Sequence, residues 1–142
     1  SLFLGTTGNG TIRLSDAFNS AGQIPDRNIP FILTGFNSDK SSNTYLNGAE
    51  LASSIPLKGR VLAGPYVIGT QGNINGEYWL GDIAELLVYE RALSRTELNQ
   101  VWSYLSLKYS IALKTDSKSP RRLALASLCH VLLNTNEFIY ID

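Results

Sequence analysis

The sequence has little charge and no excess of either sign. Charged residues make up 17% of its 142 residues, and twelve Lys and Arg balance twelve Asp and Glu. Because phosphate attraction dominates non-specific nucleic-acid affinity, a neutral chain predicts no nucleic-acid partner. The single cysteine, Cys129, cannot form an internal disulfide, and the one histidine leaves no spacing typical of a structural zinc site.

Long hydrophobic runs are missing too. The longest, residues 123–133, is interrupted by Ser127 and His130 and falls short of the ~20 residues that cross a bilayer, so we predict no membrane span. The chain has no methionine and starts at Ser1, which leads us to expect a processed or excised piece of a longer protein. Its hydrophobic content of 44% predicts one globular domain with a buried core.

Short apolar segments separated by turn residues predict β-strands in the first part of the chain. Residues 2–4 and 12–14 flank a glycine-rich segment, a pattern that predicts a β-hairpin. The alternation along the second segment places Ile12 and Leu14 on one face. Residues 31–36 (FILTGF) form an apolar run typical of a strand buried on both faces.

The strongest hairpin signal is the dipeptide Asn47-Gly48, which lies between two further strand-like segments. Both residues tolerate the positive φ of a type I′ turn. Residues 66–69 predict another strand. Residues 78–89 predict a long, extended and largely apolar segment, in which Gly81 allows a bend or bulge.

The periodicity then changes to that of a helix. Ser94 and Glu97 have the spacing of a capping box, in which each side chain accepts a hydrogen bond from the backbone N–H of the other. The spacing predicts a helix over 95–110, with Trp102 in the apolar stripe that docks on the sandwich. Residues 114–142 begin with a polar linker and continue as a tail of unknown structure.

Two motifs carry a resemblance to a known family. Residues 81–94 (GDIAELLVYERALS), followed by 104–109 (YLSLKY), look like the carboxyl end of a laminin-G-like jelly-roll domain, of the concanavalin A-like lectin/glucanase superfamily. Upstream, residues 31–36 leading to 45–48 (YLNG) resemble the central hairpin of that family. The resemblance covers roughly residues 1–113.

The resemblance implies an all-β fold, an antiparallel jelly-roll sandwich with one C-terminal amphipathic helix. A jelly roll needs about eight strands in two sheets, and fewer can be assigned here. We therefore expect a sandwich that is incomplete at its N-terminus, occupying residues 1–113, with the tail 114–142 outside it. Either the tail 114–142 or association with another chain or domain would supply the missing strands.

The sequence contains no arrangement of residues that is typical of a catalytic site. Glycanases of this superfamily carry their carboxylates on one strand at alternating spacing, which a retaining mechanism needs to hold them ~5 Å apart. Here the nearest pair, Asp82 and Glu85, is three residues apart, which on a strand places the two side chains on opposite faces. His130 beside Cys129 has no partner residues for a metal or thiol site. We predict that the protein is not an enzyme.

Calcium is the cofactor that the resemblance suggests, since laminin-G-like domains often carry an ion at a sandwich rim. Asn73, Asn75 and Glu77 cluster between glycines and offer oxygen ligands, and Asp39 with Asn43 offers a second group. These residues also suit plain turn chemistry. We favour the turn interpretation, because one carboxylate is little charge for a divalent ion.

Carbohydrate binding commonly uses an exposed aromatic ring surrounded by polar loop groups. Tyr66 and Tyr78, with Asn73 and Asn75, are the candidate ligand-binding residues. Trp79 precedes the bend where the family usually has a packing aromatic, so we expect Trp79 in the core and Tyr78 exposed.

These observations favour a non-catalytic, extracellular, lectin-like binding module that recognises a glycan or cell-surface protein through its rim loops. The alternative is a structural or assembly domain, such as an adhesin segment, spacer or virion-type building block, without a small-molecule ligand. A glycoside hydrolase fragment is the third interpretation, and requires a catalytic strand outside this chain. The first reading rests on fold analogy.

Overall fold

A computed structural model describes residues 3–15, 21–57, 67–70 and 76–114. Within these ranges lie two antiparallel sheets and one helix. The elements are β1 (Leu4–Thr6), β2 (Ile12–Leu14), β3 (Leu33–Asn37), β4 (Ser42–Leu46), β5 (Ala49–Ser54) and α1 (Arg95–Tyr109).

The first sheet is the hairpin predicted from the glycine-rich segment. β1 pairs with β2 in antiparallel register, with Leu4 opposite Leu14. Ile12 and Leu14 are both buried and the intervening Arg13 is half-buried, so the predicted alternation is confirmed.

The second sheet has the order β3-β4-β5 and turns between β4 and β5 at Asn47-Gly48. Both turn residues have positive φ, 51° for Asn47 and 84° for Gly48, as a type I′ turn requires. The Asn47 side chain also accepts a hydrogen bond from the buried backbone N–H of Ile32 at 2.7 Å. Its backbone carbonyl accepts another from Lys114 N at 2.7 Å. The predicted hairpin is confirmed, and its turn ties three parts of the chain together.

Burial along the second sheet differs from the prediction. The apolar run at residues 31–36 was expected to be buried on both faces, but β3 is only half-buried and its Gly35 and Asn37 are exposed. The strand that is buried throughout is the central one, β4, although it is largely polar. β4 has β3 and β5 on its two sides, the β1–β2 hairpin against one face and α1 against the other. Its position in the sheet therefore determines its burial, and its hydropathy does not.

The polar side chains of β4 are hydrogen-bonded, as burial demands. Ser42 Oγ donates to Asn37 Oδ1 at 2.7 Å and accepts from Leu57 N at 3.0 Å. Thr44 Oγ1 donates to the carbonyl of Ala21. Each of these bonds fixes a neighbouring segment to the centre of the sheet.

Adjacent residues of β4 contribute to two separate apolar cores, because consecutive side chains of a strand point to opposite faces. Leu46 packs with Ile12, Leu14, Ala21 and Ile24, the core shared with the β1–β2 hairpin. Tyr45 faces the other way, into the core beneath the helix. That second core comprises Ile32, Tyr45, Leu93, Leu98, Trp102 and Ile111.

Helix α1 begins and ends at residues whose chemistry explains its limits. The predicted capping box is present: Glu97 N donates to Ser94 Oγ at 3.3 Å, and Ser94 N donates to Glu97 Oε2 at 2.8 Å. The helix ends at Tyr109, one residue before the predicted limit, because Ser110 adopts the left-handed conformation with φ 55°. At 1% exposure, Trp102 is the most deeply buried residue of the helix, as predicted.

Two predicted strands do not form in the described residues. Residues 67–69 have no strand structure, and Tyr66 lies outside the described ranges. Residues 82–89 belong to no strand, although the bend expected at Gly81 is present, with φ 143°. The predictions made for residues 115–142 also lie outside the described ranges. No helix among the described residues combines the length and apolarity needed to cross a bilayer.

Candidate functional site

One candidate surface lies where two short segments meet at residues 67–70 and 76–79. An isolated antiparallel bridge joins Thr70 to Tyr78. It is reinforced by Trp79 N donating to the Gly69 carbonyl at 2.7 Å and by Thr70 Oγ1 donating to the Glu77 carbonyl at 2.9 Å. These bonds fix the backbone conformation of Glu77 and Tyr78. We call the surface formed by residues 67–70 and 76–79 the rim.

Tyr78 and Trp79, neighbours along the rim, differ in exposure. The Tyr78 side chain is 61% exposed, whereas Trp79 is half-buried. Within the described part of the chain, the buried Trp79 Nε1 has no hydrogen-bond partner. The expectation that Tyr78 is the exposed ring of the pair therefore agrees with the structure, and Trp79 packs only in part.

The calcium candidates separate into two positions. Glu77 is exposed on the rim, while Asn73 and Asn75 lie outside the described residues, as does the ligand-binding candidate Tyr66. In the second group, Asp39 lies in a turn and Asn43 lies in β4, where its Oδ1 accepts a hydrogen bond from Ser41 Oγ at 2.6 Å. Among the described residues, no three His, Cys, Asp or Glu side chains form a group that could hold a metal ion.

A second surface is the segment after the rim, residues 80–90, which is apolar and exposed. Leu80 is 95% exposed, and five more large apolar side chains of the segment are also exposed. Those five are Ile83, Leu86, Leu87, Val88 and Tyr89. Between the described residues, no backbone-to-backbone hydrogen bond involves positions 80–90. The segment has the composition of a buried strand but forms no backbone ladder with the other described residues.

One carboxylate anchors this segment to α1. Glu85 accepts hydrogen bonds from Tyr104 Oη at 3.1 Å, from Lys108 Nζ at 3.1 Å and from Tyr109 Oη at 3.0 Å. Lys108 Nζ also lies 2.8 Å from Tyr104 Oη and sits over both tyrosine rings. Tyr104 and Lys108 share a helix face because they are four residues apart. We call these four residues the Glu85 cluster.

The Glu85 cluster holds residues 80–90 against α1 through charged hydrogen bonds. Hydrogen bonding from Lys108 lowers the pKa of Glu85, and hydrogen bonds from both tyrosines act in the same direction. The hydrogen bonds with Tyr104 and Glu85 raise the pKa of Lys108 above its usual range. Burial and the hydrogen bond to Glu85 raise the pKa of Tyr109. A carboxylate held ionised by three donors is poorly suited to be a general acid at neutral pH.

A second ion pair fixes the end of the same segment to the start of the helix. Arg91 Nη1 and Nη2 donate to the two Glu97 oxygens at 3.0 and 2.6 Å, a bidentate arrangement. Hydrogen bonds from Arg91, and then from Ser94, lower the pKa of Glu97 to about 2. Residues 85–91 consequently run beside α1 from its C-terminal half to its first turn.

The other charged group of the helix start stacks on aromatic rings. The Arg95 guanidinium lies 5.5 Å from the centroid of Tyr45 and 5.2 Å from that of Trp102. Burial raises the pKa of Tyr45, and the nearby Glu50 carboxylate adds to the effect. These contacts stabilise the helix on the sheet.

Comparison with protein families identifies the fold. A family profile described as the concanavalin A-like lectin/glucanases superfamily, of laminin-G-like type, matches residues 2–99. The chain belongs to this superfamily. The match confirms the predicted resemblance and the all-β fold class, and laminin-G-like domains are generally non-catalytic binding modules. Searches of curated proteins and of solved structures find no match.

Within this laminin-G-like domain, the structure assigns Glu85 a role that sequence reasoning missed. The sequence presented Glu85 only as a poor catalytic partner for Asp82. In the structure Asp82 is exposed, while Glu85 turns towards α1 and its side chain is 18% exposed. The signal available in the sequence was the i, i+4 spacing of Tyr104 and Lys108, which places a phenol and an ammonium on one helix face.

Proposed function

We propose that the protein is a non-catalytic, extracellular binding module that recognises a glycan or a cell-surface protein through its rim. The observation that carries the proposal is the exposed Tyr78 ring, held on a hydrogen-bonded backbone in which the preceding residue, Glu77, is also exposed. An exposed aromatic ring with polar neighbours is a common platform for the apolar face of a sugar. The sequence alone nominates Tyr66, Asn73 and Asn75 as further ligand-binding residues, which lie outside the described residues.

The character of the acidic residues supports a binding role over catalysis. Glu85 is fully engaged with three donors, and Glu97 is engaged with Arg91 and the helix cap. Glycoside hydrolysis needs one carboxyl that is protonated at neutral pH and a second that is free to attack or to activate water. Both of these carboxyls instead have lowered pKa values.

A glycan array at fixed calcium concentration tests the proposal. The wild-type chain should bind a subset of glycans, and Tyr78→Ala should reduce that binding about five- to thirtyfold if the ring supplies ~1–2 kcal/mol of contact. Tyr89→Ala is the matched control, since Tyr89 is an exposed tyrosine away from the rim. Equal binding by both variants would show that the rim is not the ligand site.

The same array measures the contribution of calcium. Chelation followed by readdition should change binding only if the ion is part of the site, and Glu77→Gln should then reproduce the effect of the chelator. Isothermal titration with Ca²⁺ alone separates ion binding from glycan binding. No heat with Ca²⁺ would leave Asn73, Asn75 and Glu77 with turn chemistry as their role.

A second candidate function, an assembly domain, is favoured by residues 80–90. Exposed apolar residues on a segment that makes no ladder hydrogen bonds with the other described residues are suited to pairing with a strand of another chain. Size-exclusion chromatography with light scattering across a concentration series tests this candidate. Concentration-dependent oligomers without glycan binding would favour assembly, and a monomer that binds glycan would favour the binding module.

A further inference from the structure

The turn that joins β1 to β2 contains a sequence that the proposed binding function does not use. We call this turn, residues 7–11, the hairpin tip. Its last three residues, Asn9-Gly10-Thr11, have the Asn-X-Thr spacing of an N-glycosylation acceptor, with a residue other than proline in the middle. The spacing Asn-X-Ser/Thr occurs only once among the 142 residues. Asparagine and glycine also favour turns, so the placement of the side chains decides whether a glycan can be carried at this position.

The carboxamide of Asn9 lies on the surface and is oriented through its oxygen. Asn9 is exposed. Its Oδ1 accepts hydrogen bonds from Thr11 N at 3.2 Å and from Thr11 Oγ1 at 2.9 Å, and Thr7 Oγ1 donates to the same atom. An N-linked sugar attaches through Nδ2 and leaves Oδ1 in place as an acceptor. Attachment would therefore preserve the bonds that orient the side chain.

Other bonds fix the backbone of the hairpin tip without involving the Asn9 side chain. Gly10 N donates to the Thr7 carbonyl at 2.9 Å, and Thr7 N donates to the Thr11 carbonyl at 2.8 Å. From the neighbouring loop, Gln23 Nε2 donates to the Asn9 backbone carbonyl at 2.9 Å. A glycan on Asn9 would thus extend into solvent from an ordered turn and would displace no packed side chain.

We propose that Asn9 is the acceptor of an N-linked oligosaccharide. The donor is an oligosaccharide carried on a lipid diphosphate, which an oligosaccharyltransferase uses. The bond between the anomeric carbon of the sugar and the diphosphate oxygen breaks, and that carbon forms a bond with Asn9 Nδ2. Nδ2 loses one proton and the lipid diphosphate leaves. In the cell, this modification rests on the proposed extracellular role, because N-glycosylation is a modification of secreted chains.

Secretion of the full-length chain from a eukaryotic cell line, behind a heterologous signal peptide, tests the acceptor. Intact mass, with peptide mapping after peptide N-glycosidase treatment, measures the fraction of chains that carry a glycan at Asn9. We expect most wild-type chains to be modified. Asn9→Gln and Thr11→Val should each lower this occupancy at least about tenfold, because each removes a group that the acceptor sequence requires. Thr11→Ser keeps a hydroxyl and should retain the modification.

Thr7→Val is the matched control for changes in the turn itself. Like Thr11→Val, it removes a hydroxyl donor to Asn9 Oδ1, but it leaves the acceptor sequence intact. Occupancy in Thr7→Val should stay within about twofold of the wild type. Occupancy is measured in cells and in medium, so that a variant that fails to fold is still counted. A loss as large as that of Thr11→Val would contradict the role given to the Thr11 hydroxyl.

Comparison of the glycosylated chain with the same chain made without glycan in bacteria tests the structural argument. Because Oδ1 keeps its hydrogen bonds, the two forms should have the same urea midpoint. A lower midpoint for the glycosylated form would show that the folded hairpin tip does not accommodate a sugar on Asn9, and would overturn the proposal.

Wild-type chains that are secreted without a glycan, or with a sugar on another residue, would also overturn the proposal. Asn9 precedes glycine, so a mass change that matches only conversion of asparagine to aspartate would count as an unmodified chain. Because the heterologous signal imposes secretion, these outcomes do not depend on the binding function. A chain modified at Asn9 whose unglycosylated form fails to bind on the glycan array would reject the binding module and retain the acceptor.

Discussion

Two apolar parts of the chain, one on α1 and one beside it, differ in solvent exposure. On the helix, Trp102 is 1% exposed, whereas Leu80, at the start of the neighbouring segment, is 95% exposed. Trp102 has the second sheet beneath it, where its Nε1 donates to Thr34 Oγ1 at 3.0 Å and its ring lies 5.1 Å from that of Tyr45. Residues 80–90 instead reach the helix mainly through the polar anchor Glu85.

The difference shows that an apolar sequence pattern indicates a surface suited to burial but does not identify the element that buries it. Both stretches have the composition of a protein interior, yet only the helix stripe meets a complementary layer in the described residues. Stability should therefore depend strongly on the α1–sheet contact and weakly on residues such as Leu80. Substitutions in the two regions test that contrast.

The largest effect should come from Trp102→Ala. Removing this ring leaves a cavity between α1 and the sheet and orphans the Thr34 contact, which should cost about 3–5 kcal/mol of unfolding free energy. Urea denaturation followed by tryptophan fluorescence and circular dichroism measures the loss. Leu107→Ala is the control, since Leu107 is exposed on the same helix and should change stability by less than ~0.5 kcal/mol. Equal losses in both variants would contradict the packing described for α1.

A smaller loss, about 1–3 kcal/mol, is expected for Asn47→Ala at the β4–β5 turn. The substitution leaves the buried Ile32 N–H without its acceptor and forces alanine into a positive φ. Asn47→Gly removes the same acceptor but relieves the strain, so the difference between the two variants isolates the conformational contribution. If alanine and glycine are equally destabilising, strain at φ 51° contributes nothing measurable.

The features predicted correctly are those encoded within a few residues. Asn47-Gly48 specifies its turn through local φ preferences, and Ser94 with Glu97 specifies the helix start through two reciprocal hydrogen bonds. The burial of β4 could not be foreseen from its polar residues, because it depends on both sheet neighbours and both covering layers. For the same reason, the apolar composition of β3 led to the wrong prediction that this strand is buried on both faces.

In the candidate site, too, locally encoded features were predicted and features that depend on distant residues were not. The exposure of Tyr78 followed from its alternation with Trp79, a local property of an extended chain. The Glu85 cluster joins a carboxylate to a helix 19 or more residues later, so only its Tyr104–Lys108 half had a local signal. The strand expected over 82–89 had the right composition, but a ladder needs a partner that composition cannot identify.

The ion pair at the helix start should make stability depend on acid. Glu97 has a folded-state pKa lowered from 4.5 to about 2, so its contribution is present above about pH 4.5 and is lost as the pH falls towards 2. Glu97→Gln should flatten that part of the stability profile, and Arg91→Gln should reduce it because Arg91 is the largest cause of the shift. Urea midpoints between pH 2 and 6 measure the effect. A wild-type profile that Glu97→Gln leaves unchanged would show that the pair does not couple to folding.

The smallest effect should come from Leu80→Ser. Because 95% of the Leu80 side chain already contacts solvent, its removal forfeits little buried area, and the unfolding free energy should change by less than ~0.5 kcal/mol. Leu98→Ser is the matched comparison, since Leu98 lies in the core beneath α1 and should lose several-fold more. A loss above ~1 kcal/mol for Leu80→Ser would mean that this side chain is covered in solution.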